Sequence, residues 1–239
     1  DGIIGDLAKN WEVDDKGLAY TFHIHENVKW WDGQPVTAED VAFSLDRMVE
    51  EGEPRPRTGV LRNFYKNSEV IDPTTVAVNL TFPAAAFLPF LAIDYMMILP
   101  KHVVESGVDI GIPANIVGSG PFKHVGYERG ASYEFERNPD YFREGLPFLD
   151  GAEVFLIQDS GRATTALLTE QVLGMSGWGS GMTSREMAAI TQDSGGKVWA
   201  PQVATGYGGV FVNFNKKPFD DPKVRKAIYL ALDRREIGE

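Results

Sequence analysis

The chain of 239 residues is long enough for one large domain or two modest ones, each with its own hydrophobic core. Hydrophobic residues make up 43% and charged residues 24%, close to the average of globular proteins. The net charge of −11 and the scattered Lys and Arg residues argue against a nucleic-acid partner, because phosphate binding requires a basic stripe. The absence of cysteine excludes disulfides, thiolate catalysis and cysteine-based metal sites.

The most apolar stretch of the chain runs from Phe82 to Leu99. It is interrupted by Pro83, Pro89 and Asp94, which favours a buried, turn-rich segment. No uninterrupted apolar run approaches the roughly 18 residues of a membrane span, so the sequence predicts none.

The first predicted elements are a strand, a turn and a helix. Residues 20–25 alternate apolar and polar side chains, which is typical of a half-buried strand. Residues 30–35 read as a turn that carries two tryptophans. Thr37 opens a capping box in which Asp40 takes the place of the usual Glu or Gln. A helix is predicted beyond it, because apolar residues recur at helical spacing at Val41, Ala42, Leu45, Met48 and Val49.

A hairpin and a short helix are predicted next. Residues 69–71 and 75–80 are rich in β-branched side chains and flank an Asp-Pro-Thr turn, so they read as the arms of a hairpin. Residues 100–105 read as a short helix that begins with proline.

The sequence changes character at residues 118–121, where Gly-Ser-Gly-Pro permits unusual backbone angles before a new set of strands. The predicted strands cover residues 133–137, 153–157 and 209–214. The predicted helices cover residues 160–169 and 183–191, with a last one from Asp221-Pro222, a good N-cap and first helical residue. Strands and helices mix without a strict βαβ repeat, which places the chain in the α+β (mixed α/β) class.

The sequence contains few candidate catalytic motifs. The run at residues 177–181 is close to a nucleophile elbow, but its serine is displaced by one position. His23 and His25 share one face of a predicted strand, where a metal site would need further donors, and a solvated polar face is the favoured interpretation. The sequence therefore predicts no catalytic residue, no metal site and no cofactor.

Aromatic side chains in glycine-rich loops are more suggestive of ligand binding. Trp178 lies between two glycines, and Tyr207 lies between Gly206 and Gly208. Glycine lets the backbone approach a ligand closely, and Trp or Tyr offers a flat apolar surface with a polar handle. This combination suits a binding cleft. Packing of the rings beneath the loops is the open alternative.

Four stretches of the chain resemble the family 5 extracellular solute-binding proteins, the oligopeptide, dipeptide and nickel-type receptors of ABC importers. The most specific begins at residues 7–12 and ends in the run DGQPVTAEDV at residues 32–41. The others are LPKH at residues 99–102, VGSGPF with ERNPDY at 117–122 and 136–141, and VNFN with PFDDPKVRKAI and LDR at 212–234. Their order and spacing also agree, so the resemblance covers almost the whole chain.

The resemblance implies a two-lobed, type II periplasmic-binding-protein-like receptor that closes over its ligand. Residues 1–115 would form an accessory N-terminal subdomain built from a helix and β-hairpins. Residues 116–239 would form part of the base ligand-binding lobe. Neither end of the chain reads as a natural terminus, so we expect this sequence to lack the opposing lobe and to need the rest of its own chain.

The resemblance also implies where a ligand is held. The expected contacts are Gly206, Tyr207, Gly208, Trp178, Asp94, Tyr95 and Met96 on the base side, with Arg62 and Tyr65 from the accessory subdomain. Ordinary surface is the alternative for the last two. The chain departs from the family pattern before Trp178, since the acidic residue expected after Glu170 is missing. The pattern therefore does not fix which residue of that loop meets the ligand.

The leading functional hypothesis is the substrate-binding component of an ABC importer. It would capture peptides outside the cytoplasmic membrane, in a periplasm or on a lipid anchor, and pass them to membrane permease subunits. A receptor for nickel-chelate, haem or oligosaccharide is the first alternative, and a secreted hydrolase is the second. Without the opposing lobe we expect weak ligand binding and self-association through uncovered apolar surface.

Overall fold

The computed structural model describes residues 2–50, 52, 55, 57–175, 184–199 and 211–233. The chain divides into two compact units, residues 1–157 and residues 158–239. The boundary predicted at residues 115 and 116 is a division between a subdomain and a lobe of a larger receptor, and it stays a prediction.

The first unit contains a four-stranded antiparallel sheet with the strand order β1-β2-β4-β3. Its strands are β1 (Ala8–Val13), β2 (Ala19–Ile24), β3 (Tyr65–Asp72) and β4 (Thr75–Leu80). The predicted strand at residues 20–25 is thus a central strand, and the predicted hairpin is β3–β4. The hairpin turn is closed by Thr74, whose backbone N–H donates to the Asp72 carboxylate at 2.8 Å.

The helices of this unit are α1 (Ala38–Val49), α2 (Gly59–Phe64), α3 (Phe87–Leu91) and α4 (Lys101–Glu105), with a 3-10 turn at Pro113–Asn115. Helix α1 packs against β3 and β4. It buries the apolar stripe that its sequence predicts, including Val41, Leu45 and Met48. The capping residue Thr37 precedes it in an extended conformation.

The core between this sheet and the helices follows directly from side-chain alternation. On β2 the residues Tyr20, Phe22 and Ile24 are buried and those between them are not. Phe87 of α3 is fully buried, and its ring centroid lies 4.7 Å from that of Tyr20 in an edge-to-face contact. Burial of each such side chain contributes about 1.5–3 kcal/mol, so the apolar stretch from Phe82 anchors its turns here.

A second, three-stranded antiparallel sheet follows in the same unit, with the order β5-β6-β7. Its strands are β5 (Phe122–Glu128), β6 (Ser132–Arg137) and β7 (Gly151–Phe155). Tyr133 and Phe135 of β6 contact the ring of His124 on β5, which gives the sheet an aromatic face. Val154 and Phe155 of β7 stay largely exposed.

The second unit contains helices α5 (Ser160–Leu168), α6 (Ser184–Asp193) and α7 (Pro222–Ala231). Asp159 caps α5 by accepting the Arg162 N–H at 2.8 Å. Asp221 caps α7 in the same way, accepting the Lys223 N–H at 2.8 Å, and Pro222 is its first residue. The N-cap and first helical residue predicted at Asp221 and Pro222 therefore start α7.

The structure differs from the sequence prediction in several elements. Strands β1 and β5 and helices α2 and α3 were not predicted, because their sequences are short or lack clean periodicity. Strand β7 ends two residues earlier than the predicted 153–157. The described part of the predicted strand at 209–214, residues 211–214, has no strand conformation. A strand needs a hydrogen-bonding neighbour, which alternation alone does not supply.

Candidate functional site

Four of the predicted ligand contacts, Trp178, Gly206, Tyr207 and Gly208, lie outside the described residues and stay predictions. The other predicted contacts belong to the first unit. Arg62 lies within helix α2, Tyr65 begins strand β3 directly after that helix, and residues 94–96 follow helix α3.

Tyr65 and Met96 are both buried in the core around the four-stranded sheet, each 7% exposed. The Tyr65 hydroxyl donates to the Asp46 carboxylate of α1 and contacts the Ser68 hydroxyl at 2.7 Å. Burial raises the pKa of the Tyr65 phenol well above its ordinary value, and the hydrogen bond to Asp46 raises that pKa further. In this chain, Tyr65 therefore joins β3 to α1, whatever it does for a ligand.

Arg62, Asp94 and Tyr95 lie at the surface. The Arg62 guanidinium donates to the backbone oxygen of Glu50 at 3.0 Å. Tyr95 is 40% exposed, and the guanidinium carbon of Arg57 lies 4.4 Å from its ring centroid. Arg57 was not predicted as a neighbour of Tyr95, because nothing in the spacing of residues 57 and 95 indicates that they meet.

The run DGQPVTAEDV at residues 32–41 contains a buried carboxylate that several neighbouring segments contact. Asp40 is 4% exposed, and one of its oxygens accepts the Thr37 N–H at 2.8 Å, the Thr37 hydroxyl at 3.1 Å and the Trp30 indole N–H at 3.3 Å. Its other oxygen accepts the Lys101 N–H at 2.9 Å, and so ties the start of α1 to the start of α4. The Ser44 hydroxyl accepts the Leu99 N–H at 2.8 Å and strengthens the same connection. These contacts explain why DGQPVTAEDV and LPKH occur in one chain.

Trp31 connects the same turn to the segment that leads into the three-stranded sheet. Its backbone N–H donates to the Gly118 oxygen at 2.8 Å, and its indole N–H donates to the Gly120 oxygen at 3.2 Å. The ring lies so close to Gly118 that a Cβ there would be 2.8 Å from it. Asn138, which is 2% exposed, donates to the same Gly120 oxygen at 3.0 Å. Position 118 therefore requires glycine, because the Trp31 ring leaves no room there for a Cβ.

A second set of contacts joins the β1–β2 side of the first sheet to the loop after β6. The Asn27 side chain donates to the Phe142 oxygen at 3.0 Å, and the rings of His25 and Phe142 are 5.0 Å apart. Arg143 pairs with Asp6 at 2.7 Å. Together with the Trp31 contacts, these make the two sheets of the first unit one connected structure.

His102 and Asp32 form a close polar contact at the surface of this region, with 2.7 Å between Nε2 and Oδ2. Partial burial alone would raise the pKa of the Asp32 carboxyl. Hydrogen bonds from His102 and from the Gln34 N–H outweigh that effect, so the pKa of Asp32 is lower than its ordinary value. The pair fastens α4 to the turn at residues 30–35.

Two open grooves adjoin α1 and share Glu105 in their lining. The larger, about 660 Å³, is lined by Phe43, Asp46, Arg47, Val49, Glu50, Arg55, Val104 and Glu105. The smaller, about 400 Å³, is lined by Gln34, Pro35, Thr37, Glu39, Asp40, Lys101, His102 and Glu105. Both are open and lined mainly by charged and polar residues, unlike the enclosed apolar pockets that bury small ligands. None of the predicted ligand contacts that the structure describes lines either groove.

Within the described ranges, no three His, Asp or Glu side chains come close enough together to hold a metal ion. His23 instead lies 3.3 Å from the Thr75 hydroxyl, and His25 contacts Phe142. None of the described helices has the length and apolar character that a membrane span requires.

The chain is similar to known proteins over its whole length. Residues 2–239 match the family model described as bacterial extracellular solute-binding proteins, family 5 Middle. The glutathione-binding protein GsiB of Salmonella typhi is 30% identical over 233 residues, which cover 97% of this chain and 44% of GsiB. The chain thus spans less than half the length of the curated relatives it matches.

Solved structures show the same likeness. The oligopeptide-binding protein AppA from Bacillus subtilis, solved with a nonapeptide, is 30% identical with a TM-score of 0.64, over 70% of this chain and 34% of AppA. The binding protein MoaA from A. tumefaciens R10, solved with mannopinic acid, is 25% identical with a TM-score of 0.77, over 97% of this chain and 46% of MoaA. The α+β class and the part of the periplasmic-binding-protein fold predicted from the sequence are confirmed by these matches. The chain belongs to the bacterial extracellular solute-binding proteins of family 5.

Proposed function

We propose that the protein is the substrate-binding component of an ABC importer and that it captures peptides for uptake. The observation that carries the proposal is the match to GsiB along 97% of this chain, supported by AppA, which was solved with a nonapeptide. GsiB is named for binding glutathione, and AppA is named for binding oligopeptides. The proposal concerns the whole receptor, of which this chain is comparable to less than half.

The receptor captures its ligand by a shift between open and closed forms, and the closed form delivers it to membrane permease subunits. It acts outside the cytoplasmic membrane, either free or held by a lipid anchor, and performs no chemistry on the ligand. Residues 1–115 form the accessory subdomain, and residues 116–239 belong to the base lobe. In support of this division, the four-stranded sheet ends at residue 80 and the three-stranded sheet begins at residue 122.

Among the predicted contacts in the first unit, the exposed ones are the better ligand contacts. Tyr95 and Asp94 present side chains to solvent on a turn fixed by buried neighbours, as a preformed site requires. Tyr65 and Met96 bear on the ligand through the backbone that they hold, because their side chains are engaged in the core.

The test is calorimetric titration of the intact receptor with di- to octapeptides, together with native mass spectrometry of the freshly purified protein. We expect a peptide to co-purify and peptides of some length to bind. Mannopinic acid is the informative comparison ligand, since MoaA was solved with it. If only this or another non-peptide solute binds, the protein is a receptor of the same family with a different cargo. Hydrolysis of the titrated peptides would contradict the assignment as a non-enzyme.

A further inference from the structure

Asp150 directly precedes Gly151, the residue that begins β7, and the two form one of two Asp-Gly pairs in the described part of the chain. Such a pair can rearrange without a catalyst, because the glycine nitrogen can close a five-membered ring on the aspartate carboxyl carbon and no Cβ shields it. The fold fixes glycine at this position, since a Cβ there would lie 2.5 Å from the Phe135 oxygen. Whether the two atoms react in the folded protein depends on whether both are free to meet.

The carboxyl group of Asp150 is free to move. Its side chain is fully exposed, and its recorded partner is the Arg137 guanidinium, which lies 2.6 Å from Oδ1. An ion pair at the surface contributes little, so it does not hold the carboxyl group away from the backbone. The guanidinium also donates to the Leu149 oxygen at 3.1 Å, and so holds the backbone that precedes Asp150.

The amide nitrogen of Gly151 is accessible as well. The Arg137 N–H donates to the Asp150 oxygen at 2.8 Å, and the Leu156 N–H donates to the Ala131 oxygen at 2.7 Å. Alternate residues of an antiparallel strand face the neighbouring strand, so the N–H of Gly151 points away from β6. Strand β7 lies at the edge of its sheet, so no described strand accepts that N–H.

The other described pair, Asp32 and Gly33, is held at both atoms. One oxygen of Asp32 accepts the Gln34 N–H at 3.0 Å, and the other lies 2.7 Å from Nε2 of His102. The Gly33 N–H donates to the Trp30 oxygen at 2.9 Å. Because carboxyl and amide are both engaged, this pair is an internal control with the same reactive sequence.

We propose that Asp150 is a site of spontaneous isoaspartate formation in the folded protein and that Asp32 is protected from it. The Gly151 nitrogen forms a bond to the carboxyl carbon of Asp150, and the OH of the carboxylic acid leaves with the amide proton as water, which gives a succinimide ring. Water then opens the ring. Cleavage of the bond from nitrogen to the side-chain carbon restores aspartate, whereas cleavage of the bond from nitrogen to the main-chain carbonyl carbon gives isoaspartate.

Isoaspartate adds one methylene to the backbone at the start of β7. The Asp150 oxygen then no longer lies opposite the Arg137 N–H, so the hydrogen bond that begins the β6–β7 ladder is lost. The reaction requires only water and does not depend on which ligand is captured, so this inference goes beyond the proposed function.

The test is incubation of the intact receptor in oxygen-18 water at about pH 5, where part of an exposed carboxyl group is protonated and the fold is stable. Peptide mapping by mass spectrometry with electron-transfer fragmentation then measures isoaspartate at each position. We expect it to accumulate at position 150 about tenfold faster than at position 32, since an intramolecular reaction is slowed when its atoms are held apart. In urea the two positions should react at similar rates, because only the fold distinguishes them.

The matched variant is Asp150→Glu, which keeps the charge but would need a six-membered ring, so no isomer should form at position 150. In the isomerised fraction the Arg137 amide should exchange with deuterium faster than in the unmodified protein, because its acceptor has moved. Equal accumulation at positions 150 and 32 in the folded receptor would overturn the proposal, as would isoaspartate at position 150 in urea alone. Neither result bears on peptide capture, which the calorimetric titration tests separately.

Discussion

Replacement of Asp40 with alanine should be among the most destabilising single changes in the first unit. The carboxylate is 4% exposed and accepts N–H groups from Thr37, Trp30 and Lys101. Each buried donor left without an acceptor costs about 1–3 kcal/mol, and loss of the helix cap costs about 1 kcal/mol. Water partly reaches the N–H groups of Thr37 and Lys101 and reduces the cost of leaving them without the carboxylate. We therefore expect the free energy of unfolding to fall by about 3–5 kcal/mol. That is a large share of the 5–15 kcal/mol of an ordinary domain.

The neighbouring residue provides the control. Glu39 precedes Asp40 on α1 and pairs with Lys101 at 3.1 Å, but its side chain is 63% exposed. Exposed pairs contribute at most about 1 kcal/mol, so Glu39→Ala should be nearly neutral although it removes the same charge. Asp40→Asn should fall between the two, since an amide has one acceptor oxygen where the carboxylate has two.

Urea unfolding followed by tryptophan fluorescence measures these differences, because Trp30 donates directly to Asp40. The midpoint should fall strongly for Asp40→Ala and little for Glu39→Ala. A loss below about 1 kcal/mol for Asp40→Ala, or equal losses for both variants, would refute the interpretation of Asp40 as the group that joins α1, α4 and the tryptophan turn.

Two further predictions concern contacts near Asp40. Gly118→Ala should lower the free energy of unfolding by about 1–3 kcal/mol, because the new Cβ would lie 2.8 Å from the Trp31 ring, and the thermal unfolding midpoint should fall accordingly. Gly120→Ala is the control, since a Cβ there has no atom within 4 Å. Equal midpoints would contradict the close approach. Asp32, whose pKa is lowered in the folded state, stabilises the fold above its unfolded pKa of 3.8, and this contribution is lost as the pH falls through the folded pKa. Asp32→Asn should therefore flatten the fall in urea stability between about pH 4 and pH 2, and an unchanged slope would show that His102 does not hold this carboxylate.

The parts of the fold that were predicted from the sequence are those with local signals. The capping box at Thr37 and the helical spacing after it gave α1, and the Asp-Pro-Thr turn gave the β3–β4 hairpin. Strand β1 has no such signal, since Lys9 and Asn10 interrupt any alternation, and it is a strand because β2 offers it a paired edge. Its existence is a tertiary effect.

The candidate site shows the same difference between local sequence signals and tertiary contacts. Tyr95 was predicted as a ligand contact within a stretch expected to be buried, and the structure places it at the surface, where its contact with Arg57 joins segments 38 positions apart. No periodicity reports such a contact. Tyr65 was chosen as a residue that could reach a ligand, and only the structure shows its hydroxyl engaged with Asp46. A residue type suggests what a side chain can do, and its neighbours decide whether it is available to do it.

The contact between Trp31 and the Gly118–Gly120 segment has a consequence for the order of folding. Trp31 and Gly120 are 89 positions apart, whereas the strands of the four-stranded sheet all lie within residues 8–80. Closing so long a loop costs entropy that only earlier contacts can offset, so the first sheet and α1 should form before this contact does. During synthesis from the N-terminus, the Trp31 ring therefore stays exposed to solvent until residues 118–120 have been synthesised. Arrival of those residues forms this contact and partly covers an aromatic surface on which a chaperone could act.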